Sequence, residues 1–379
     1  MAFPSPPPPK SKLGVYRPLA PTAALKVSPL CLGAMNFGTA WEGFMGSVGG
    51  KKGTFEILDY FYEQGGNFID TANNYQEEQS EQWLGEWMAE RKNRDEIVLA
   101  TKYTSGFGIS NLPKNAVRAN FGGNHAKSLH VSLEASLRKL QTSYIDILYV
   151  HWWDWTCSVE ELCQSLNQVV QAGKVLYLAA SDMPAWVVTK FNQYARDHGM
   201  RQFSVYQGKW SAANRDFERE IIPMVRAEGM ALAPWGALGG GDFKTEAQRK
   251  ETEGRSSGMK HSEHSAAVSK VLEKIANQKK TIMTSVALAY VLTKAPYVFP
   301  IVGGRKIEHL KGNIEALSLE LSDEDVAEID KAYPFDVGFP VNFLGGDKPQ
   351  DVWLTHMFGQ FEYVDRQKPI KPTPPPTSN

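Results

Sequence analysis

This sequence has no excess charge of one sign, few cysteines and no long apolar run, and each of these features excludes a class of protein. The 379 residues carry a formal net charge of −1, so no strong field attracts nucleic acid or an anionic membrane. The three cysteines, Cys31, Cys157 and Cys163, lack the spacing of metal ligands, and so sparse and odd a count argues against a disulfide framework. No stretch approaches the roughly 18 apolar residues that a membrane-spanning helix needs.

The amino terminus lacks the apolar core of a secretory signal, and its sequence, MAFPSPPPPK, is rich in proline instead. The carboxyl terminus, KPIKPTPPPTSN, has the same bias, so we expect residues 1–12 and 368–379 to be disordered. With few cysteines and no signal, we expect a cytoplasmic protein. Between these ends we predict one folded domain over residues 13–332, followed by an extension over residues 333–367.

Glycine is present, but not in the G-x-G-x-x-G spacing that an open, doubly wound dinucleotide-binding sheet requires. LGAMNFG and LGGGDF both have the wrong spacing. What the sequence does contain is a series of short apolar runs, typical of parallel strands that are covered on both faces. These eight runs are residues 30–35, 67–70, 96–102, 144–151, 175–181, 203–207, 230–235 and 297–302.

Amphipathic helical patterns alternate with the runs, and several of them end in glycine. They are residues 53–65, 80–90, 128–140, 159–173, 185–199, 217–229 and 307–317. Strict alternation predicts an α/β fold of eight units, the (β/α)8 TIM barrel. That fold usually needs roughly 250 residues, so this chain has extended loops at 106–127 and 236–264 and a C-terminal extension. All three are expected near the barrel mouth, where the carboxyl ends of the strands lie.

Four ionisable side chains stand where predicted strands end, and they are the candidates for catalysis. Asp70 ends the second run, Tyr75 follows in the next loop, Lys102 ends the third run and His151 the fourth. Taken singly, they also fit a turn cap, a solvated charge or a packed histidine. Because the carboxyl ends of barrel strands meet at one rim, we expect the four to converge.

Together these residues can form a proton donor. A free tyrosine, with a pKa of about 10, is a weak acid at neutral pH, and a neighbouring ammonium lowers that pKa. A buried lysine in turn requires a carboxylate partner. We therefore predict that Asp70 holds Lys102, that Lys102 tunes Tyr75, and that His151 orients a substrate oxygen toward the phenol. The small residues between Asp70 and Tyr75 let the loop turn.

The sequence resembles the aldo-keto reductases over about residues 13–332. The resemblance rests on DTANNY at 70–75 with the following Ser80, Glu81, Leu84 and Gly85, on ATK at Lys102 and on LYVHWWD at His151. LYVHWWDW, SDMPAW, VYQGKWSAANRDFE, APWGALGGG and PIVGGRKIEHLKGNIEAL, with the C-terminal GFPVNFLG and VWLTHMFG, are similar to a fungal branch of aryl-alcohol dehydrogenases and norsolorinic-acid-reductase-like proteins. The resemblance implies that Asp70, Tyr75, Lys102 and His151 are catalytic.

The resemblance also implies a nicotinamide cofactor, normally NADPH/NADP+, bound without a Rossmann fingerprint. The matching positions, from nicotinamide to adenosine, are Ser181, Asp182, Gln207, Trp235, Gly303, Gly304, Arg305, Lys306, His309 and Asn313. Of these, Gly303 and Gly304 would let the backbone approach phosphate, and Arg305 and Lys306 suit a 2′-phosphate. Asp182, His309 and Gly312 depart from the family's usual asparagine, arginine and glutamate.

These features predict an NADPH-dependent reductase for an aldehyde or ketone, bulky or aromatic, with a fungal secondary-metabolite intermediate as one candidate. Aromatic residues expected to line its pocket are Phe37, Trp41, Trp152 and Trp210. The alternatives are a partner subunit that binds NADPH with little turnover, and a biosynthetic enzyme that uses Tyr75 for dehydration or isomerisation. We expect no metal, no nucleic-acid or membrane partner, and a monomer or homodimer.

Overall fold

The structure of the chain is a barrel of strands wrapped by helices. The computed structural model describes residues 7–245 and 263–373. In chain order its strands are β1 Arg17–Ala20, β2 Ala23–Val27, β3 Cys31–Gly33, β4 Phe68–Asp70, β5 Val98–Tyr103, β6 Ile145–Val150, β7 Val175–Ser181, β8 Phe203–Lys209, β9 Ala231–Trp235 and β10 Ile301–Val302.

Strands β3 to β10 form the barrel, and each overlaps one of the eight predicted runs. They pair in parallel in the order β10-β3-β4-β5-β6-β7-β8-β9. A parallel bridge between Leu232 and Val298 brings β9 to the segment before β10. The amide of Leu232 donates to Tyr297 at 2.9 Å and that of Phe299 donates to Leu232 at 2.8 Å, which completes the ring. The prediction of a (β/α)8 TIM barrel is confirmed.

An antiparallel hairpin of β1 and β2 covers the amino-terminal end of the barrel. Its apolar side chains belong to the same buried cluster as Cys31, Phe68 and Val98, which are the first residues of β3, β4 and β5. The sequence analysis did not predict this hairpin, because polar residues and Pro18 interrupt its short apolar runs. With this end covered, the carboxyl end of the strands is where a site can open.

Helices surround the barrel, and each of the seven predicted helical segments overlaps one of them. They are α1 Glu42–Met45, α2 Gly50–Glu63, α3 Gln79–Arg91, α4 Ala126–Lys139, α5 Val159–Gln171, α6 Ala185–Asp197, α7 Ile221–Glu228, α8 Glu263–Lys279, α9 Met283–Lys294, α10 Ile307–Glu315, α11 Asp323–Lys331 and α12 Val341–Leu344. Within the described residues, no helix combines the length and apolar character needed to cross a bilayer.

The C-terminal extension runs from one end of the barrel to the other. In its first part, the carbonyl oxygen of Asp336 accepts two hydrogen bonds from Arg219, which lies just before the start of α7. Further along, Arg366 pairs with Asp347 of the same extension at 2.7 Å. Gln367 then donates to the hydroxyl of Tyr297 at 3.1 Å, and Tyr297 lies at the amino-terminal end of the barrel. The extension was predicted near the mouth. Among the described residues, its first part contacts that end and its last part contacts the amino-terminal end. Residues 1–6, 246–262 and 374–379 of the predicted tails and loop lie outside the described residues.

Candidate active site

The loop after β4 is joined to β5, and this sets the position of the first two candidate residues. Asp70 is the last residue of β4 and lies opposite Ala100 in the register of the two strands. Beyond the strand, the amide of Thr71 donates to Ala100 at 2.9 Å and that of Asn73 donates to Lys102 at 3.1 Å. Because side chains alternate along a strand, Lys102 points to the same face as Ala100, into the barrel.

Lys102 is a fully buried ammonium at the carboxyl end of β5. Its Nζ forms a close ion pair with Asp70 Oδ1 and donates to the carbonyl oxygen of Thr71 at 2.7 Å. The other Asp70 oxygen accepts a hydrogen bond from Gln207 Nε2 at 3.0 Å. Each polar group of the buried pair thus has a partner, which is what makes such burial tolerable.

Tyr75 and His151 complete the predicted group of four. Nζ of Lys102 lies 5.2 Å from the centroid of the Tyr75 ring. His151 directly follows β6, and its ring lies edge-on to the Tyr75 ring with centroids 5.9 Å apart. The Trp41 ring also lies edge-on to Tyr75, with centroids 6.2 Å apart. The structure therefore brings all four candidate catalytic residues to one rim.

Burial and charge act against each other on these groups. Burial raises the pKa of Tyr75 above its ordinary value, and the Lys102 charge lowers it only in part. The prediction of a lowered pKa from the neighbouring ammonium is therefore wrong in sign, because the loss of water around the phenol outweighs that charge. For Lys102, burial lowers the pKa, but the charge and the hydrogen bond of the Asp70 carboxylate act against burial, and the pKa is left raised. The ammonium therefore keeps its charge beside a protonated phenol.

His151 is a neutral imidazole at ordinary pH. Burial, helped by the Lys102 charge, lowers the pKa of His151 to about 3. Its Nδ1 lies 3.2 Å from the hydroxyl of Ser105, and Trp152 Nε1 donates to the same hydroxyl at 3.1 Å. Since the indole N–H is only a donor, the hydroxyl can give its own proton to Nδ1, which leaves Nε2 as the protonated nitrogen. A neutral Nε2–H can donate to a substrate oxygen.

Ser105 is a site residue that the sequence analysis missed. It lies just past β5, and its carbonyl oxygen also accepts a hydrogen bond from Asn73 Nδ2 at 3.0 Å. Its role comes from contacts with Asn73 and His151, which lie 32 and 46 positions away along the chain. A serine in a polar loop gives no signal of such contacts in the sequence. Only its distance of three residues from Lys102 could have drawn attention to it.

The predicted nicotinamide-contacting residues surround the same opening. Ser181 ends β7 and lies opposite Gln207 of β8 in the register. Asp182 has a left-handed backbone, with φ of 41°. Asp182 is exposed at the rim. Desolvation by the surrounding protein nevertheless raises the pKa of its carboxyl to about 6, and its hydrogen bond with Trp235 offsets only part of that rise. Trp235 ends β9 and is 38% exposed, so its ring is open to a ligand.

The segment after β10 has the donors that a phosphate-bearing cofactor requires. Arg305 and Lys306 are exposed, and Lys306 precedes α10 without capping it through its side chain. Uncapped amides at a helix start, next to two cations, fit a phosphate group. Asn36 Nδ2 donates to the Gly304 carbonyl at 3.0 Å and so ties this segment to the loop after β3. The chemistry of these residues therefore fits the cofactor implied by the resemblance.

The other predicted cofactor residues differ in their access to solvent. Gly303 and His309 are exposed at the start of this segment, whereas Asn313 is 5% exposed within α10. A Cβ on Gly303 would meet no atom closer than 4.0 Å, so the backbone there is open to approach.

The four predicted pocket residues divide into two pairs. Trp152 is 40% exposed and Trp41 is partly exposed, and both lie beside the candidate catalytic group. Phe37 and Trp210 have no exposed surface and belong to the core between strands and helices. Trp210 stacks on Phe217 at 5.8 Å. An aromatic residue type does not distinguish core from pocket, so we leave Phe37 and Trp210 out of the proposed pocket.

Metal chemistry was not expected at this site. Across residues 7–245 and 263–373, no group of three or more His, Cys, Asp or Glu side chains is arranged to hold a metal ion.

Comparison with known proteins shows the family of the chain. Residues 29–334 match the model of the aldo/keto reductase family. The chain is 58% identical over 372 residues to norsolorinic acid reductase B of Dothistroma septosporum, which covers 94% of each chain. It is 54% identical over 381 residues to norsolorinic acid reductase A of Aspergillus parasiticus, covering 98% of this chain and 97% of the other. It is also 54% identical over 379 residues to an aryl-alcohol dehydrogenase of Pestalotiopsis microspora, with coverage of 98% and 97%. The chain belongs to the aldo/keto reductase family.

Proposed function

We propose that the protein reduces an aldehyde or ketone to an alcohol with NADPH, and that Tyr75 is the proton donor. The observation that carries this proposal is the fully buried Lys102, paired with Asp70 and 5.2 Å from the Tyr75 ring. An ammonium in that position favours the phenolate that is left when the proton has gone. Membership of the family supports an oxidoreductase acting on a small carbonyl compound.

In this proposal each residue of the group has one task. A bound NADPH would supply the hydride that reaches the carbonyl carbon. Neutral His151 donates a hydrogen bond to the carbonyl oxygen and holds it near Tyr75. Tyr75 gives its proton to that oxygen as negative charge develops there, and Lys102 stabilises the resulting phenolate. Asp70 keeps Lys102 charged and in place.

The cofactor assignment rests on the residues around the mouth. Ser181, Asp182, Gln207 and Trp235 would contact the nicotinamide, and Gly303, Gly304, Arg305, Lys306, His309 and Asn313 the phosphates and adenosine. Two exposed cations next to an uncapped helix start support the phosphorylated cofactor, NADPH, over NADH. Three free, buried cysteines support our proposal of a cytoplasmic enzyme, which we propose to be a monomer or homodimer.

The substrate is proposed to be bulky and aromatic. Trp41 lies edge-on to Tyr75, and Trp152 directly follows His151 and bonds Ser105. Met35, Phe44 and Trp155 are exposed on the segments that follow β3 and β6. Exposed aromatic and sulfur-containing side chains of this kind are suited to flat apolar ligands. Two relatives named as norsolorinic acid reductases support an aromatic ketone of fungal secondary metabolism as the substrate class.

A single substitution tests the proposal. Tyr75→Phe keeps the ring and removes the transferable proton, so we expect turnover of aryl aldehydes to fall by at least about 100-fold. NADPH binding, measured by fluorescence titration, should stay within about twofold, because no other contact is lost. Tyr144→Phe is the matched control, since its hydroxyl bonds Asp95 at the start of the barrel strands. Undiminished turnover by Tyr75→Phe would refute the assignment.

A further inference from the structure

The loop that carries Tyr75 has an unfavourable backbone conformation. Gln76, Glu77 and Glu78 have φ of 53°, 51° and 80°, so three consecutive residues other than glycine are left-handed. Each such residue has a higher free energy than in the right-handed region, and such runs persist only when the surrounding structure holds them. Something must therefore fix the loop directly after Tyr75.

Lys139, the last residue of α4, contacts this loop on both sides of Tyr75. Its Nζ donates to the carbonyl oxygen of Asn73 at 3.1 Å and pairs with Glu78 Oε2 at 2.9 Å. These two residues lie two positions before Tyr75 and three after it. The Lys139 side chain is only 10% exposed, and its Nζ lies 5.2 Å from the centroid of the Phe107 ring.

A second carboxylate connects Lys139 to the strand that bears Lys102. Nζ of Lys139 pairs with Glu81 Oε2 at 2.7 Å, and Glu81 is fully buried. The other Glu81 oxygen accepts a hydrogen bond from the Thr101 hydroxyl at 2.6 Å, and Thr101 immediately precedes Lys102. The contacts thus run from the tyrosine loop through Lys139 and Glu81 to β5.

The location of these contacts distinguishes them from ordinary stabilising ion pairs. Buried pairs add little net stability on average, because the cost of removing the charges from water offsets their attraction. What this pair does add is a fixed geometry between two segments that bear Tyr75 and Lys102. Gln76, which is 1% exposed, holds the opposite side of the loop by accepting from the Trp41 amide at 2.7 Å.

We propose that Lys139 is a positioning residue for the reaction, which holds the left-handed loop so that Tyr75 stays beside Lys102. The inference rests on the proposed function, because it takes Tyr75 as the proton donor. Without the ammonium, residues 76–78 would relax toward the right-handed region and the phenol would move. A displacement of about 1 Å at a reacting group can lower the rate by about 100-fold. The phosphate-site residues make no contact with Lys139, so cofactor binding should persist.

The test removes the ion pair without leaving a buried charge. In the double variant Lys139→Met with Glu81→Gln, neither side chain is ionised, and Glu78 can turn to solvent. We expect kcat to fall by about 10- to 100-fold, with the dissociation constant of NADPH within about twofold. Lys139→Arg keeps the cation but replaces the compact ammonium by a larger guanidinium, so it should lose less kcat than the double variant.

The matched control is a buried ion pair at the other end of the barrel. Arg94 and Asp146 pair at 2.8 Å with side-chain exposures of 15% and 8%, near the starts of β5 and β6. Arg94→Met with Asp146→Asn should change Tm about as much as the Lys139 double variant, and it should leave kcat within about twofold. Equal losses of kcat in the two double variants would mean that lost stability alone explains them, and would overturn the inference.

A milder variant keeps the test decisive if the Lys139 double variant does not fold. Glu78→Gln removes only one contact of the ammonium, and we expect kcat to fall by about three- to tenfold. Unchanged kcat in every variant that folds would overturn the positioning role. If Tyr75→Phe is itself active, the proposed function fails. If Tyr75→Phe is inactive but the Lys139 and Glu78 variants are normal, only this inference fails.

Discussion

At the scale of single residues, the site depends on groups whose charge is decided by burial. Lys102 keeps its charge because the Asp70 carboxylate acts against the effect of burial on its pKa. His151 has no carboxylate among the groups that shift its pKa, and it stays neutral. The same loss of water therefore has opposite outcomes in two neighbouring side chains. This contrast makes His151 a hydrogen-bond donor without net charge, next to an ammonium that it would otherwise repel.

The neutral state of His151 makes the stability of the protein depend on pH. Its pKa is lowered from the ordinary value of 6.5 to about 3 in the folded chain. Between these values the unfolded state binds the extra proton, so the free energy of unfolding falls as the pH drops, by at most about 1.4 kcal/mol per pH unit. This contribution is fully present above about pH 6.5. Urea unfolding across the window should show a smaller decline in His151→Gln than in the wild type.

The exposed His130 is the control for that experiment, since His130→Gln should keep the wild-type pH dependence. Parallel curves for the wild type and His151→Gln would contradict a neutral, buried His151.

The residues that sequence reasoning found differ in kind from those it missed. Asp70, Lys102 and His151 were predictable because each is ionisable and stands where an apolar run ends. Ser105 and Lys139 were not, because their roles come from hydrogen bonds and ion pairs between residues distant along the chain. The pKa of Tyr75 was also beyond sequence reasoning, since the extent of burial is a property of the fold.

At the scale of secondary structure, the barrel strands were predictable and some flanking elements were not. Eight strands buried on both faces give continuous apolar runs that stand out from their surroundings. Helix α9 was missed because residues 285–291 are all buried, so the segment is apolar on every side and lacks the amphipathic period. Helix α8 begins at Glu263, at the end of the long polar segment 236–264 for which the sequence predicts a loop.

Two glycines within helices provide a test of how closely these elements pack. A Cβ on Gly85 of α3 would lie 2.7 Å from the backbone carbonyl carbon of Leu140, so Gly85→Ala must push α3 away from the end of α4. We expect a loss of about 1–3 kcal/mol in the free energy of unfolding. A Cβ added to Gly312 of α10 would have as its nearest atom the end of the Ile282 side chain, at 3.1 Å. That side chain is exposed and can move.

Gly312→Ala should therefore raise the free energy of unfolding by up to about 1 kcal/mol, because alanine is the better helix former. Chemical denaturation of both variants measures the two effects. Equal signs for the two substitutions would contradict the close approach of α3 and α4.

At the scale of the whole molecule, the two ends of the barrel are used differently. The β1–β2 hairpin and the last part of the C-terminal extension lie at the amino-terminal end, and the candidate catalytic group lies at the other. Sequence reasoning assigned the whole extension to the mouth, because loops at that end build sites in this fold. The path of a proline-rich segment is set by scattered polar contacts, and these have no periodic signal in the sequence.

This separation predicts that the end of the extension stabilises the fold without serving the reaction. Deleting residues 360–379 removes the pair of Arg366 with Asp347 and the hydrogen bond of Gln367 to Tyr297. Both ion-pair side chains are about one-third exposed, so water screens them, and we expect a loss of about 1–2 kcal/mol in the free energy of unfolding. The kcat should stay within about twofold, because none of these contacts touches β4, β5 or β6. Arg366→Ala alone should account for about half of the lost stability, since it breaks the ion pair and leaves the rest of the segment. A large loss of kcat on truncation, with Tm unchanged, would instead mean that the extension reaches the mouth and takes part in binding the substrate.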